Sequence, residues 1–213
     1  VAWSINTAHH SDFADRGHAH IYQEGIRIPP VRLYREGVLQ NDVQDIFLLN
    51  CQVPRERLSD LRAQMSANRL GVQRMQGLCE KYGSDRVLAA GDALQDYAER
   101  KMRAGISAIP DGTYRFADVF DSNQFPGTMK CSVAITVEAD GMTLDFDAPP
   151  QVRAGLNMVY TALLPSCYYA VKSAIDPTIL PNAGLARALT VTAPEGSILN
   201  CVHPAAVDGR IAA

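Results

Sequence analysis

The chain has 213 residues, 47% apolar and 20% charged, which is the balance of a soluble globular protein with length for one substantial core or two small ones. Net charge is −3 and the pI about 5.9, so bulk charge draws it to neither nucleic acid nor anionic membrane. No apolar run approaches the ~18–20 residues of a bilayer span, and no signal-peptide pattern opens the sequence.

The five cysteines, Cys51, Cys79, Cys131, Cys167 and Cys201, are widely spaced with no Cys-x-x-Cys, as expected of free thiols in a reducing cytoplasm. The absence of an initiating Met and the abrupt ends point to a stretch of a longer polypeptide.

Val1–Ile5 reads as a short strand entering a stretch, 6–28, that concentrates His9, His10, His18 and His20 with Asp12, Asp15 and Glu24. Residues 6–24 follow neither helical nor strand period, which predicts a structured loop of the kind that carries functional groups. Gly25–Leu33 alternates loosely, and Pro29-Pro30 restricts it to an extended or edge segment. Glu36-Gly37 marks a turn. Asp42–Asn50 is expected to form a short helix with Val43, Ile46 and Phe47 inward.

Residues 54–82 carry the strongest periodic signal. Leu58, Leu61, Met65, Val72, Met75, Cys79 and Tyr82 follow alternating three and four spacing on one helical stripe, with Asn68 its one polar position. Asn68 requires hydrogen-bond partners if buried, through an interhelical bond or by facing a site. Arginines 55, 57, 62, 69 and 74 read as a solvated face, of which Arg62 and Arg69 can also meet a partner subunit. Pro54 suits a first turn and Gly83 the position past the end. Ser84-Asp85 is expected to cap a second helix to about Ala108, with Val87, Leu94, Tyr97, Ala98 and Ile106 in the core.

The period then switches to two. Thr113–Asp121 and Cys131–Glu138 read as strands, and Asp140-Gly141 as a hairpin turn into 142–147. Asn157–Ile175 is expected to be a buried helix kinked or broken at Pro165. Leu189–Thr192 is a short strand, Pro194-Glu195-Gly196-Ser197 a turn, and His203-Pro204 part of a final loop. The expected class is α+β, a long helical hairpin packed with antiparallel strands, part of a larger subunit. Its expected parts are 1–53 with the histidine-rich loop and strands, 54–110 with the helical hairpin, and 111–213 with a strand hairpin plus helix.

Imidazole and carboxylate are standard ligands for divalent metals, and His18 and His20, two apart, share a face on a strand. Exposed or structural histidines are the competing reading. No Gly-x-Ser-x-Gly, P-loop or dinucleotide fingerprint occurs.

Three segments together resemble the hydantoinase B/oxoprolinase family. Asn6-Thr7-Ala8-His9-His10-Ser11-Asp12 is similar to its Asn-x-x-His-His-x-Asp motif, and Tyr22–Pro30 to its next block. Ser59–Gln64 with Ala67-Asn68-Arg69 is similar to its helix signature. Shorter matches lie at Leu144–Phe146, Pro150–Arg153, Tyr168–Ala170, Ala193–Ser197 and Pro204–Val207.

The resemblance implies a B-type subunit of an ATP-dependent enzyme that opens a cyclic amide: a hydantoin, 5-oxoproline or a lactam. An A-type partner subunit would bind ATP and phosphorylate the carbonyl oxygen. The B-type part would carry a divalent ion, zinc, manganese or magnesium, whose bound water attacks at neutral pH. Alternatives are the equivalent subunit of an acetone/acetophenone-type carboxylase and a non-catalytic scaffold.

By the same resemblance His9 is the implied metal ligand and Asp12 its neighbouring or bridging carboxylate. Asp12 and Glu24 are the candidate catalytic carboxylates, and His10, Arg62, Gln64 and Asn68 the candidate substrate or interface groups. The family's further ligands, from an upstream His-x-x-Asp, have no counterpart here. Two glycines usual after Asp12 are also missing, and His18 and His20 match no family ligand.

Overall fold

The computed structural model describes residues 19–122 and 127–207. The strand expected at Val1–Ile5 lies outside them. The chain is α+β. An extended segment leads from Ala19 to a two-residue hairpin, β1 (Tyr34–Arg35) and β2 (Val38–Leu39), turned at Glu36-Gly37. Both turn residues have positive φ, 51° and 83°, the geometry that matches the strand twist in a tight hairpin. Helix α1 (Asn41–Leu49) buries Phe47 and half-buries Val43, but Ile46 faces solvent instead of the expected core.

Helices α2 (Pro54–Tyr82) and α3 (Ser84–Ile106) form the long hairpin. The expected Ser84-Asp85 cap is absent. Gly83, with φ of 84°, closes α2 and directly precedes α3, and no side chain caps that N-terminus. The core positions of α3 are Ala98, Met102 and Ile106, all at its C-terminal end, whereas Leu94 and Tyr97 are exposed. Along the stripe of α2 only Leu61 is fully buried. Amphipathic spacing fixed the helix but not the element that would cover its apolar face.

The sheet has the order β3-β4-β5-β6, with β3 (Gly112–Asp121), β4 (Thr128–Glu138), β5 (Gly141–Asp147) and β6 (Leu189–Thr192). The first three are an antiparallel meander, and β6 pairs parallel to β5 after a crossover through α4 (Tyr160–Ile175). The β4–β5 turn falls one residue earlier than the Asp140-Gly141 signal. Glu138 pairs with Gly141, and Ala139 takes a φ of 54°, its N–H held by Asp111 Oδ1 at 3.0 Å.

Helix α4 begins at Tyr160, three residues later than expected, and runs through Pro165 without a break. The missing N–H of Pro165 frees the carbonyl of exposed Thr161, which water can serve.

Val137, Met142, Leu144, Leu189 and Val191 of the sheet pack under α3 and α4, where Met102, Ile106, Leu163, Cys167 and Val171 complete the core. An exposed ion network ties the root of the hairpin to the sheet. Arg103 bonds Glu99, Asp140 and the Arg187 carbonyl, while Arg187 reaches Asp96, Glu99 and Gln95. Glu99 is held below the usual carboxylate range by Arg103 first and Arg187 second. At the same root the backbone of 183–188 lies against α3 so closely that a Cβ on Gly184 would sit 1.9 Å from the Gln95 carbonyl oxygen. The far edge is different: on β3, Tyr114, Phe116 and Val119 are all exposed.

Candidate functional site

Two loops after the meander interlock into a platform. Ile198 N–H donates to the Pro149 carbonyl at 3.0 Å, Gln151 N–H to Gly196 at 2.8 Å, Met158 N–H to Ile198 at 2.7 Å and Cys201 N–H to Met158 at 3.0 Å. The Gln151 side chain clasps Val202 from both sides: its Oε1 accepts the Val202 N–H at 2.8 Å, and its Nε2 donates to the Val202 carbonyl at 3.3 Å. Gly196, at φ 78°, allows the tight turn that aligns these partners.

Asn157 locks the platform from inside, with no exposed surface. Its Oδ1 accepts the Val152 N–H at 2.8 Å. Its Nδ2 faces the carbonyls of Val152, Ala154 and Ala206 at 2.8, 2.9 and 2.9 Å. An amide side chain has two N–H bonds, so three carbonyls share two protons.

The segment leaving the histidine-rich stretch docks on this platform. Ile21 N–H donates to the Pro204 carbonyl at 2.9 Å, and Glu24 Oε1 accepts the Val207 N–H at 2.5 Å. An Arg27 guanidinium nitrogen lies 2.9 Å from His203 Nε2, which accepts because guanidinium has only donors. The Tyr22 ring meets His203 edge-on at 5.4 Å and His20 at 5.9 Å, with Arg27 over its face at 5.7 Å. Gln23 Oε1 accepts the Ala19 N–H at 2.8 Å and so shapes the 3-10 turn at Ile21–Gln23. His20 Nδ1 is buried with no hydrogen-bond partner among the described residues.

From Ile26 the same segment runs on to wall a groove against α2 with a volume of about 1760 Å³. Gln64 and Asn68, both half-buried, line it beside Leu61, Met65 and Arg69. Arg69 also stacks over the Tyr34 ring at 5.1 Å.

The structure thus separates the candidate residues. Glu24 sits on the platform with one oxygen committed to a backbone amide. Gln64 and Asn68 share the groove. Arg62 is exposed on α2 and does not line the groove. His9, His10, Asp12, Asp15 and His18 lie outside the described residues. Among the described residues no three His, Cys, Asp or Glu side chains converge as a metal set. No disulfide joins any of the five cysteines, and burial pushes the Cys131 and Cys167 thiols up, away from the thiolate a nucleophile needs.

Reading from the sequence missed Gln151, Asn157, Arg27 and His203. The signals were the Tyr22–Pro30 block, which contains Arg27, and the short matches at Pro150–Arg153 and Pro204–Val207, whose meeting in space no local pattern announces. No described helix is long and apolar enough to cross a membrane.

A four-stranded mixed sheet, a helical hairpin and an interlocked loop platform define an α+β unit that recurs in known proteins. The crystal structure of an ATP-dependent caprolactamase from Pseudomonas jessenii superposes with a TM-score of 0.81 at 27% identity, over 94% of this chain and 36% of that one. A nucleotide-free acetone carboxylase shares the fold, with a TM-score of 0.81 at 16% identity over 91% of this chain and 28% of that one. In sequence, the B subunit of a protein named "Putative D-/L-hydantoinase", from Pseudomonas sp. (strain NS671), is 32% identical over 99% of this chain and 39% of its own length. The chain therefore spans less than two-fifths of the length of these relatives. The sequence model described as hydantoinase B/oxoprolinase matches residues 1–213, and the chain belongs to that family.

Proposed function

We propose that the chain is part of the B-type subunit of an ATP-dependent amidohydrolase that opens a cyclic amide: a hydantoin, 5-oxoproline or a lactam. The observation that carries this reading is the family match across residues 1–213, together with 27% identity to the ATP-dependent caprolactamase. An amide is a poor electrophile, and phosphorylation of its oxygen by an A-type, ATP-binding partner turns that oxygen into a leaving group. The carboxylase alternative has the likeness to acetone carboxylase, at 16% identity, in its favour, and this speaks for fold alone.

Within this reading His9 is the ligand for a divalent ion and Asp12 the carboxylate beside it. The described residues offer no complete donor set, so they do not fit such an ion by themselves, and no step is assigned through it. What the described residues do is positioning. Glu24, Ile21 and Arg27 fasten the outlet of the 9–12 stretch to the loop at 203–207. His10, Arg62, Gln64 and Asn68 are assigned to substrate or partner contact.

The test is ATP-dependent ring opening by the full B-type protein with its A-type partner, on hydantoin, 5-oxoproline and a lactam. Product and ADP should appear together for one of them, without bicarbonate. Bicarbonate dependence would instead identify a carboxylase. His9→Ala, folded as judged by circular dichroism, should abolish turnover, and wild-type turnover by that variant would leave the scaffold reading.

A further inference from the structure

One contact that fastens the docked segment can exist in only one protonation state of its histidine. Arg27 and His203, 176 positions apart, meet at 2.9 Å through a guanidinium nitrogen and Nε2. Guanidinium has only donors and keeps its proton throughout the working range of pH. Imidazole is the partner that can change, because it is the side chain that ordinarily alters its charge between about pH 5 and 8. With no proton on Nε2 the contact is a charge-assisted hydrogen bond. With Nε2 protonated, N–H meets N–H and one cation meets another, so the bond is lost and the pair repels.

The setting isolates this bond. Among the described residues it is the one hydrogen bond of either side chain. The segment has two further fastenings, Ile21 N–H on the Pro204 carbonyl and Glu24 Oε1 on the Val207 N–H, and neither involves an imidazole. The titratable and charged groups of the junction are Tyr22, His20, Arg27 and Glu24. Tyr22 meets His203 edge-on at 5.4 Å, holds His20 at 5.9 Å and carries Arg27 over its face at 5.7 Å. Glu24 is the one acid in residues 20–27 and 201–207. His20 is the rival proton acceptor, its Nδ1 buried and unpartnered among the described residues.

We propose that Arg27 and His203 form a pH-sensitive latch. While His203 is neutral the latch is closed and seats the 21–27 segment on the 203–207 loop, and protonation of His203 opens it. The open form binds the extra proton, so a fall in pH drives opening and a rise closes it. The proposal goes beyond the catalytic reading and does not depend on it.

The test is hydrogen exchange of the full-length protein at about pH 8 and 5.5, the lower value staying above the ~4.3 at which Glu side chains ordinarily titrate. Protection of the Ile21 and Val207 amides is read after the intrinsic pH dependence of exchange is divided out. In the wild type it should fall roughly two- to tenfold at the lower pH, the size of one exposed hydrogen bond, while the β4 amides hold. His203→Gln supplies an oxygen that accepts from Arg27 at either pH, and should keep the higher protection at both. Arg27→Met removes the donor and should show the lower protection at both. His20→Gln and Glu24→Gln should each retain the wild-type step. A wild type without the step, or a step that persists in His203→Gln or Arg27→Met, would overturn the proposal. So would loss of the step in His20→Gln or Glu24→Gln, which would assign the titration to that residue instead.

Discussion

Replacing Asn157 should loosen the platform and the segment fastened to it together. The side chain serves one amide and three carbonyls with no water access. Because its Nδ2 carries two protons, about three hydrogen bonds are at stake, each worth roughly 0.5–1.5 kcal/mol net. Asn157→Ala should therefore cost about 3 kcal/mol, and more where the orphaned carbonyls stay dry. For a chain of this size that corresponds to a fall in Tm of roughly 6–12 °C.

Asn157→Asp separates hydrogen bonding from shape. It keeps the acceptor for Val152 but turns an acceptor toward three carbonyls. Its buried carboxyl would titrate above the ~3.9 of an unfolded Asp. The folded state then binds more protons than the unfolded one in that interval, so this variant should lose stability as pH rises from about 4 to 7. Urea denaturation at about pH 4.5 and 7 measures the stabilities. Hydrogen exchange at Ile21 and Val207 reports whether the docked segment follows. An Asn157→Ala penalty below about 1 kcal/mol, or an Asp variant equal to wild type at neutral pH, would refute the account.

At the hairpin root, Gly184→Ala forces Cβ onto the Gln95 backbone, so α3 and the 183–188 turn must part. We expect a loss of about 1–3 kcal/mol in urea melts. Gly105→Ala would bring Cβ to 2.0 Å from Cγ2 of Ile175, a branch of a χ1-restricted helical side chain, so α3 and α4 must shift apart there too, with a loss of similar size. The Asp176 carboxyl is held down to about 2 by Thr178 first and Lys101 second. A depressed carboxylate stabilises above its unfolded value, and the contribution disappears as pH falls through the folded one. Asp176→Asn should thus flatten the dependence of stability on pH between about 4 and 2, and an unchanged acid limb would contradict it.

What could be read from the sequence was what local chemistry encodes. Three-four spacing placed α2, Glu36-Gly37 placed a turn, and alternation placed β4. Gly83 was recognised as a terminator, but its second role before α3 displaced the expected serine cap. The stripe of α2 announced a helix and an apolar face without naming what covers it, since spacing records orientation and not neighbours. Asn157 was read as the start of a helix. Its actual work depends on a carbonyl 49 positions away, a contact no local pattern contains. The same holds for Gln151 with Val202 and Arg27 with His203.

The Glu24–Val207 bond spans 183 positions. On a ribosome adding about 5–20 residues per second, the outlet of the histidine-rich stretch emerges roughly 10–40 seconds before its docking loop exists. The meander and helical hairpin, built from near neighbours, are complete by then. Fastening of the 21–27 segment therefore waits for synthesis to pass Val207, and a nascent chain stalled before Val202 carries a finished helical hairpin and meander with that segment still unmoored.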